Sequence, residues 1–230
     1  MTAPDWENPV VRDGMARMLD LRAQLMERGE MMIGWKLAFG APVWLEKFGT
    51  SGPLPGFLPG SRKHPSGALV SVEGWTRPVA EPEMAVYLQD DVDDPDRVAD
   101  SISAIGPAIE LADVDKPPED IAEVLAGNIF HKAVILGEAD LARAGGDISG
   151  VEARVSRGGE MVAATNDPQA LIGELGPILT HTAKLLDAFG EKLRAGEVVI
   201  TGSVFAPLQL SPGEEIGFRL GPVGAVEVHV

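Results

Sequence analysis

The spacing of apolar and polar positions changes several times along this chain, and each change marks a predicted element. Up to about Glu30, Val11, Met15, Met18, Leu25 and Met26 recur near one helical face while Arg12, Asp13, Arg17 and Asp20 fall elsewhere, which predicts an amphipathic helix. Its methionines read as core filling, because unbranched thioethers fit irregular gaps. From Met32 to about Gly74 the apolar runs shorten and are broken by Gly and Pro, as in GTSGPLPGFLPGS, so turns and loops between short strands are expected. The segment GWKLAFG, beside so loop-rich a stretch, is a candidate lining of a site.

Two stretches, VAEPEMAVYL at 79–88 and AIGPAIELAD at 104–113, read as strands. The acidic connector between them, QDDVDDPDRVADSIS, reads as a solvated loop, since it lacks the glycine and the late glutamate that a calcium loop requires. PPEDIAEVLAGN has helix-like composition, and KAVILG at 132–137 reads as a buried strand. Ile178, Leu179, Thr182, Leu185, Leu186 and Phe189 keep helical spacing and stop at Gly190, a natural left-handed cap. Three strands follow: EVVITGS, EIGFRL and AVEVHV, the last alternating Val226, Val228 and Val230 against Glu227 and His229. No internal repeat or linker divides the chain, so the organisation expected is a helical segment at 1–31 and one compact unit at 32–230.

At 230 residues, with 45% hydrophobic and 23% charged side chains, the chain is long enough to bury a core without staples. Its formal net charge of -16 repels phosphate backbones and anionic lipid surfaces, which argues against nucleic acid and membrane partners. An anionic substrate then requires something local to reverse the field, as a bound divalent cation does. The absence of cysteine excludes disulfides, zinc–thiolate sites and thiol nucleophiles. With no signal-peptide pattern at MTAPDWENPV and no apolar run of spanning length, a soluble, cytoplasmic protein is expected.

On an extended strand Glu81 and Glu83 project to one side, with Ala80, Met84 and Val86 on the other. Pro82 between them has no N–H for a sheet ladder, which predicts an edge or a bulge. Glu110 shares a face with Ala108 and Ala112, small neighbours that leave room for a ligand, while Ile109 and Leu111 lie opposite. A glutamate in an apolar strand is costly to desolvate unless paired or metal-bound. Three converging carboxylates repel one another, and a hard dication relieves that repulsion, which points to Mg²⁺ or Mn²⁺. Taken alone, E-x-E is equally the pattern of a solvated strand face.

These glutamates, with GWKLAFG before them and LRAGEVVITGS after them, resemble the fumarylacetoacetate hydrolase superfamily from about residue 32 onward. The likeness is to its 2-oxo-4-pentenoate hydratase and 4-oxalocrotonate decarboxylase branch. The resemblance implies an α+β fold, a mixed β-roll of the fumarylacetoacetate hydrolase type with flanking helices, assembled as a homo-oligomer. It implies that Glu81, Glu83 and Glu110 bind Mg²⁺ or Mn²⁺, that Lys36 lies near the substrate, and that Thr201 and Gly202 sit at the site rim. The implied activity is hydration of a 2-hydroxypenta-2,4-dienoate-like 2-oxo acid in aromatic catabolism. The alternatives are 2-oxo acid decarboxylation, acylpyruvate-type carbon–carbon hydrolysis, or, in another class, a non-catalytic metal-binding partner subunit.

Two stretches depart from the family pattern. GFLPGSRKH lacks an expected acidic residue, and GNIFHKAVILG puts Phe130, His131 and Lys132 where small residues are usual. Lys36 is the candidate proton-transfer group or carbonyl-side electrostatic stabiliser, since an ammonium beside a metal-bound enolate has its proton affinity lowered. His131 is a candidate base for water and Lys132 a candidate partner for a second substrate carboxylate, with structural or surface roles open for both. Arg62, Lys63 and His64 read as a solvated basic loop, and His181 and His229 as surface residues.

Overall fold

The computed structural model describes residues 4–230. Helix α1 (Pro9–Glu27) starts where the Asn8 side chain accepts a hydrogen bond from the Val10 N–H at 3.0 Å, with Pro9 at its first position. Its predicted face is correct for Val11, Met15 and Met18, which are fully buried, but Met26 is 46% exposed and the helix stops before Glu30. Three further helices follow: α2 (Pro42–Phe48), α3 (Ile121–Ala126) and α4 (Leu175–Asp187). Gly14 brings α1 close to α3, since a Cβ there would lie 2.7 Å from the Leu125 Cβ. Helix α4 ends as expected, with Gly190 at φ 78° and the Glu191 N–H bonded to the Leu186 carbonyl.

The strands are β1 (Met32–Ala38), β2 (Leu54–Pro59), β3 (Lys63–Pro65), β4 (Ala68–Leu69), β5 (Pro78–Leu88), β6 (Ile102–Asp113) and β7 (His131–Leu136). They continue with β8 (Glu152–Arg157), β9 (Glu160–Thr165), β10 (Val198–Ser203), β11 (Leu208–Gln209), β12 (Glu215–Gly221) and β13 (Gly224–His229). Among the described residues they form two sheets. One runs β2-β1-β10-β5-β6-β7-β3 with β11 added to β5, and the other runs β4-β13-β12-β8-β9. The first is mixed, with β1 and β10 parallel while β5 and β6 are antiparallel along their whole length. This is the α+β arrangement expected, and the core lies between the sheets and under α1 and α4.

Several expectations need correction. Pro82 is not on an edge: β5 is central, and the irregularity it requires falls in its neighbour β10, whose register shifts between Ile200 and Ser203. The missing donor at Pro82 therefore faces a bulge. The acidic connector contains a 3-10 segment at Pro95–Ser101 with Val98 and Ser101 buried, and its Asp93 and Asp96 pair with Lys192 and Lys184. Lys63 and His64 belong to a strand on β7 rather than to a loop, although Arg62 and Lys63 are exposed. His181 is not a surface group: its side chain is 14% exposed and packs against buried Asp5, 3.4 Å away, beside Gly52, where no Cβ would fit. The β8–β9 hairpin was not expected, although Ala153 and Val155 alternate ahead of the Gly158-Gly159 turn.

One close approach positions the site. Gly34 on β1 pairs with Val198 on β10 at φ 146°, and a Cβ there would fall 1.8 Å from the Val198 carbonyl oxygen. Glycine thus sets the β1–β10 spacing that carries Lys36 to the level of Ile200. Gly34→Ala is expected to lower folding stability by about 3 kcal/mol, read as a fall in the urea midpoint. An unchanged midpoint would show that the two strands can separate without loss.

Candidate metal centre

Strands β5 and β6 set Glu81 directly opposite Glu110 and Glu83 opposite Ala108. Their alternation puts all three glutamates on one face, while Met84, Ile109 and Leu111 enter the core behind. Each glutamate offers an oxygen, and the three oxygens lie within 4.8 Å of one another. Glu83 and Glu110 are fully buried, and Glu81 is partly open to the cavity.

Lys36 reaches this cluster from β1 and is only 1% exposed. Its Nζ donates to Glu110 Oε1 at 2.5 Å and to the Ile129 carbonyl at 3.0 Å. Space for its stem comes from Gly56 opposite on β2, where a Cβ would crowd both Lys36 and Asn128. Asn128 closes the edge of β2 by exchanging two hydrogen bonds with the main chain of Phe57, at 2.8 and 2.9 Å. Asn128, Ile129 and Phe130 all take left-handed backbone, with φ of 58°, 48° and 63°. That conformation is unfavourable for non-glycine residues and most of all for β-branched Ile129, at about 1–3 kcal/mol each. It aims the Ile129 carbonyl at Lys36 and puts Phe130 in the cavity wall.

His131 lies behind the cluster. The β6–β7 register shifts between Leu111 and Ala112, and this turns the imidazole onto Glu110 Oε1, 2.8 Å from Nδ1. A carboxylate can only accept, so Nδ1 carries the proton. His131 does not line the cavity, which corrects its expected role as a base for water: the geometry makes it a positioning group for Glu110. Lys132, expected to meet a substrate carboxylate, instead places its ammonium 5.9 Å from the Trp75 ring centre and is also absent from the cavity wall. Thr201 and Gly202 do line it. The Thr201 hydroxyl donates to the Met84 carbonyl at 3.2 Å, and the Gly202 N–H donates to Glu83 Oε2 at 2.7 Å.

Burial pushes the Glu81 carboxyl up to about 7, with the Glu110 charge adding to the shift and Lys36 opposing it. Burial, Glu110 and Glu81 raise Glu83 well above the usual range. Burial acts to raise Glu110 too, but Lys36 and His131 outweigh it and hold this carboxylate low and ionised. Lys36 resists its own desolvation through the charges of Glu110, Glu81 and Glu83, and its pKa is raised. Burial lowers that of His131, leaving the ring neutral near pH 7.

The donor set fits a hard dication. Glu83 Oε1 and Glu110 Oε2 are buried with no hydrogen-bond partner among the described residues, so each carboxyl group keeps one oxygen free. Such orphan atoms cost about 1–3 kcal/mol each, and more when charged. An all-oxygen set of three carboxylates with room for further ligands suits Mg²⁺ or Mn²⁺.

The cluster opens into a cavity of about 490 Å³. Its walls include features that the sequence reading passed over. Phe39, just before α2, and Trp44, within it, pack edge to face at 5.5 Å on one side. Phe205 and Ile172 close another side, and Ser203 adds a buried hydroxyl without a partner. Arg77 stands at the N-terminal end of β5.

Residues 56–230, which carry Glu81, Glu83 and Glu110, match the model of the fumarylacetoacetate (FAA) hydrolase C-terminal family. The chain belongs to that enzyme family. It is 25% identical to the 4-oxalocrotonate decarboxylase of Pseudomonas putida, over 98% of this chain and 87% of that one. It is 24% identical to the 2-hydroxyhexa-2,4-dienoate hydratase of Comamonas testosteroni, over 87% and 79%. The solved structure of 4-oxalocrotonate decarboxylase from Pseudomonas putida G7, complexed with magnesium and adipate, superposes with a TM-score of 0.85 at 22% identity, over 99% of this chain and 90% of that one. Among the described residues no helix is long and apolar enough to cross a membrane.

For Glu81 to serve as a ligand it must shed the proton that it holds below about 7. Calorimetry is therefore expected to show Mg²⁺ affinity rising with pH through that value, and falling by at least roughly tenfold per unit well below it. Glu83→Gln is expected to weaken binding at least about tenfold at pH 8. A flat pH profile together with an unaffected variant would remove these residues from the metal site.

Proposed function

We propose that this chain is a divalent-metal-dependent hydro-lyase acting on a 2-oxo acid of the 2-hydroxypenta-2,4-dienoate type. The observation that carries the reading is the buried Lys36 ammonium held against a three-glutamate cluster at the floor of a mostly apolar cavity. A dication held by Glu81, Glu83 and Glu110 supplies positive charge that favours the enolate form of a 2-oxo acid. Relatives named 2-hydroxyhexa-2,4-dienoate hydratase and 2-keto-4-pentenoate hydratase support the assignment.

Hydration of such a dienol needs a proton at its terminal carbon C5 while the enol oxygen loses one. Water then adds at C4, and its second proton goes to C3. Lys36 Nζ is the proton donor in this scheme: Glu110 and the Ile129 carbonyl fix its direction, and a dication on the three glutamates would offset the anionic charge that otherwise raises its pKa and makes it a reluctant acid. His131 holds Glu110 from behind, so that the carboxylate cannot rotate away from Lys36. Phe130, Phe205 and Ile172 cover the diene and limit bulk water.

A second reading, 2-oxo acid decarboxylation, is favoured by the relative that spans 98% of the chain and bears a decarboxylase name. The two separate in one assay. The Mg²⁺-loaded protein is expected to bleach the ultraviolet band of 2-hydroxypenta-2,4-dienoate and to form 4-hydroxy-2-oxopentanoate. Release of CO₂ from a 2-oxo-hexenedioate, with no change in the dienoate, would favour decarboxylation instead. Lys36→Met is expected to lower turnover at least about a hundredfold while retaining Mg²⁺ binding, because removing the ammonium removes repulsion toward the cation. Full activity in that variant would contradict the assignment of Lys36.

A further inference from the structure

We infer that the substrate is a 2-oxo acid carrying an aromatic group on its fifth carbon, and that Phe39 and Trp44 form the subsite that takes this ring. The inference rests on the metal-site reading above and deepens it by naming the tail of the substrate.

The cavity is larger than an unsubstituted dienoate needs. Its volume of about 490 Å³ falls in the range of roughly 300–1,000 Å³ that holds drug-sized ligands, and a five-carbon acid is far smaller. The space left over has apolar walls. Among the described residues, the lining carries one charged group besides Lys36 and Glu81, and this is Arg77, which is exposed to solvent. No buried cation therefore stands beyond the glutamate cluster to meet a second acid group, and the tail that fits is uncharged.

Aromatic rings are what the wall offers instead. Phe39, Trp44, Phe130 and Phe205 all line the cavity, and each is only partly buried. Among the described residues four non-glycine positions take left-handed backbone, and two of them are these wall phenylalanines, Phe39 at φ 61° and Phe130 at φ 63°. Such a conformation is unfavourable for a bulky residue and gathers where a ligand is clamped.

Trp44 is presented in an unusual way. Helix α2 buries no residue completely, so core packing does not explain an indole on it. Phe48 backs the ring by stacking at 5.4 Å and 21°, and it also meets Phe39 edge to face at 5.2 Å, while itself staying out of the wall. Phe39 and Trp44 are thus braced from behind, with apolar surface turned to an open space. A ligand ring that packs there removes this surface from water and adds the offset or edge-to-face contact that aromatic pairs favour.

The lengths are compatible. Phe39 lies three residues beyond Lys36, about 10 Å along the chain. In a 5-phenyl-substituted five-carbon acid the ring centre is about 8 Å from the carboxyl carbon, with carbon–carbon bonds of ~1.5 Å. An acid end held at the glutamates therefore brings the ring to the level of Phe39 and Trp44.

The test compares 2-oxo-5-phenylpentanoate with 2-oxopentanoate, which share the 2-oxo acid end and the five-carbon chain and differ by the ring. Pyruvate serves as the minimal ligand and 2-oxoadipate as the acid with a charged tail. All four are titrated by calorimetry into the full chain with saturating Mg²⁺. The phenyl acid is expected to bind at least about tenfold more tightly than 2-oxopentanoate, and 2-oxoadipate no more tightly than 2-oxopentanoate. Trp44→Leu and Phe39→Leu, which keep an apolar side chain but no ring, are each expected to reduce the phenyl preference to about threefold or less. Thermal melts of each variant report that the fold is kept.

No phenyl preference in the unaltered protein, a preference that survives both substitutions, or tighter binding of 2-oxoadipate than of the phenyl acid would overturn the inference. Mg²⁺-dependent binding of pyruvate would still support the metal-site reading in each of those cases. Failure of all four acids to bind with Mg²⁺ would overturn that reading, and the ring subsite with it.

Discussion

Two carboxyl groups, Glu83 and Glu110, are held in the interior with one oxygen each left unpartnered among the described residues, and much of the first sheet is arranged around that fact. Desolvation alone would protonate both. Only Glu110 escapes, because Lys36 and His131 converge on a single oxygen of it and leave the other free. The result is a graded cluster: one carboxylate ionised at all working pH, one poised near 7 at the cavity edge, and one held high. Carboxylates in so unequal a state share a face only if a positive charge beyond that of Lys36 rewards it.

Local backbone choices supply the geometry. Gly34 lets β1 approach β10, and Gly56 makes room for the lysine stem. The left-handed turn at 128–130 is the least favourable piece of main chain near the site, and its Ile129 carbonyl is the second acceptor that fixes Lys36. Strain is thus concentrated where direction matters most, and it is offset by Asn128, which bonds to β2 like an added strand residue. Removing either contact would leave the ammonium with one partner and a wider range of positions.

The long elements were legible in the sequence because their periods are long. β5, β6 and α4 follow from alternation or helical spacing, and with β5 and β6 came the shared face of Glu81, Glu83 and Glu110. What failed depended on register. Neither His131 nor Lys132 lines the cavity as expected: the register shift beside Ala112 sets His131 against Glu110, and Lys132 lies over Trp75, which no local pattern announces. Pro82 correctly signalled an irregularity, but the bulge lies in the partner strand, a non-local outcome. Helix α2 is short, with no buried residue to impose a period, and the β8–β9 hairpin was overlooked despite its Gly-Gly turn. Arg77, exposed just before β5, gave no signal, since only the folded arrangement brings it to the cavity wall.

The central claim is that the glutamates of β5 and β6 crowd together to hold a dication. Its most direct measurement is a crystal of the protein soaked in Mn²⁺, with diffraction recorded at the manganese absorption edge. The account predicts a single strong anomalous peak between Glu81, Glu83 and Glu110, at about 2.2 Å from an oxygen of each. A map with no peak there, and with these side chains turned away from one another, would contradict it.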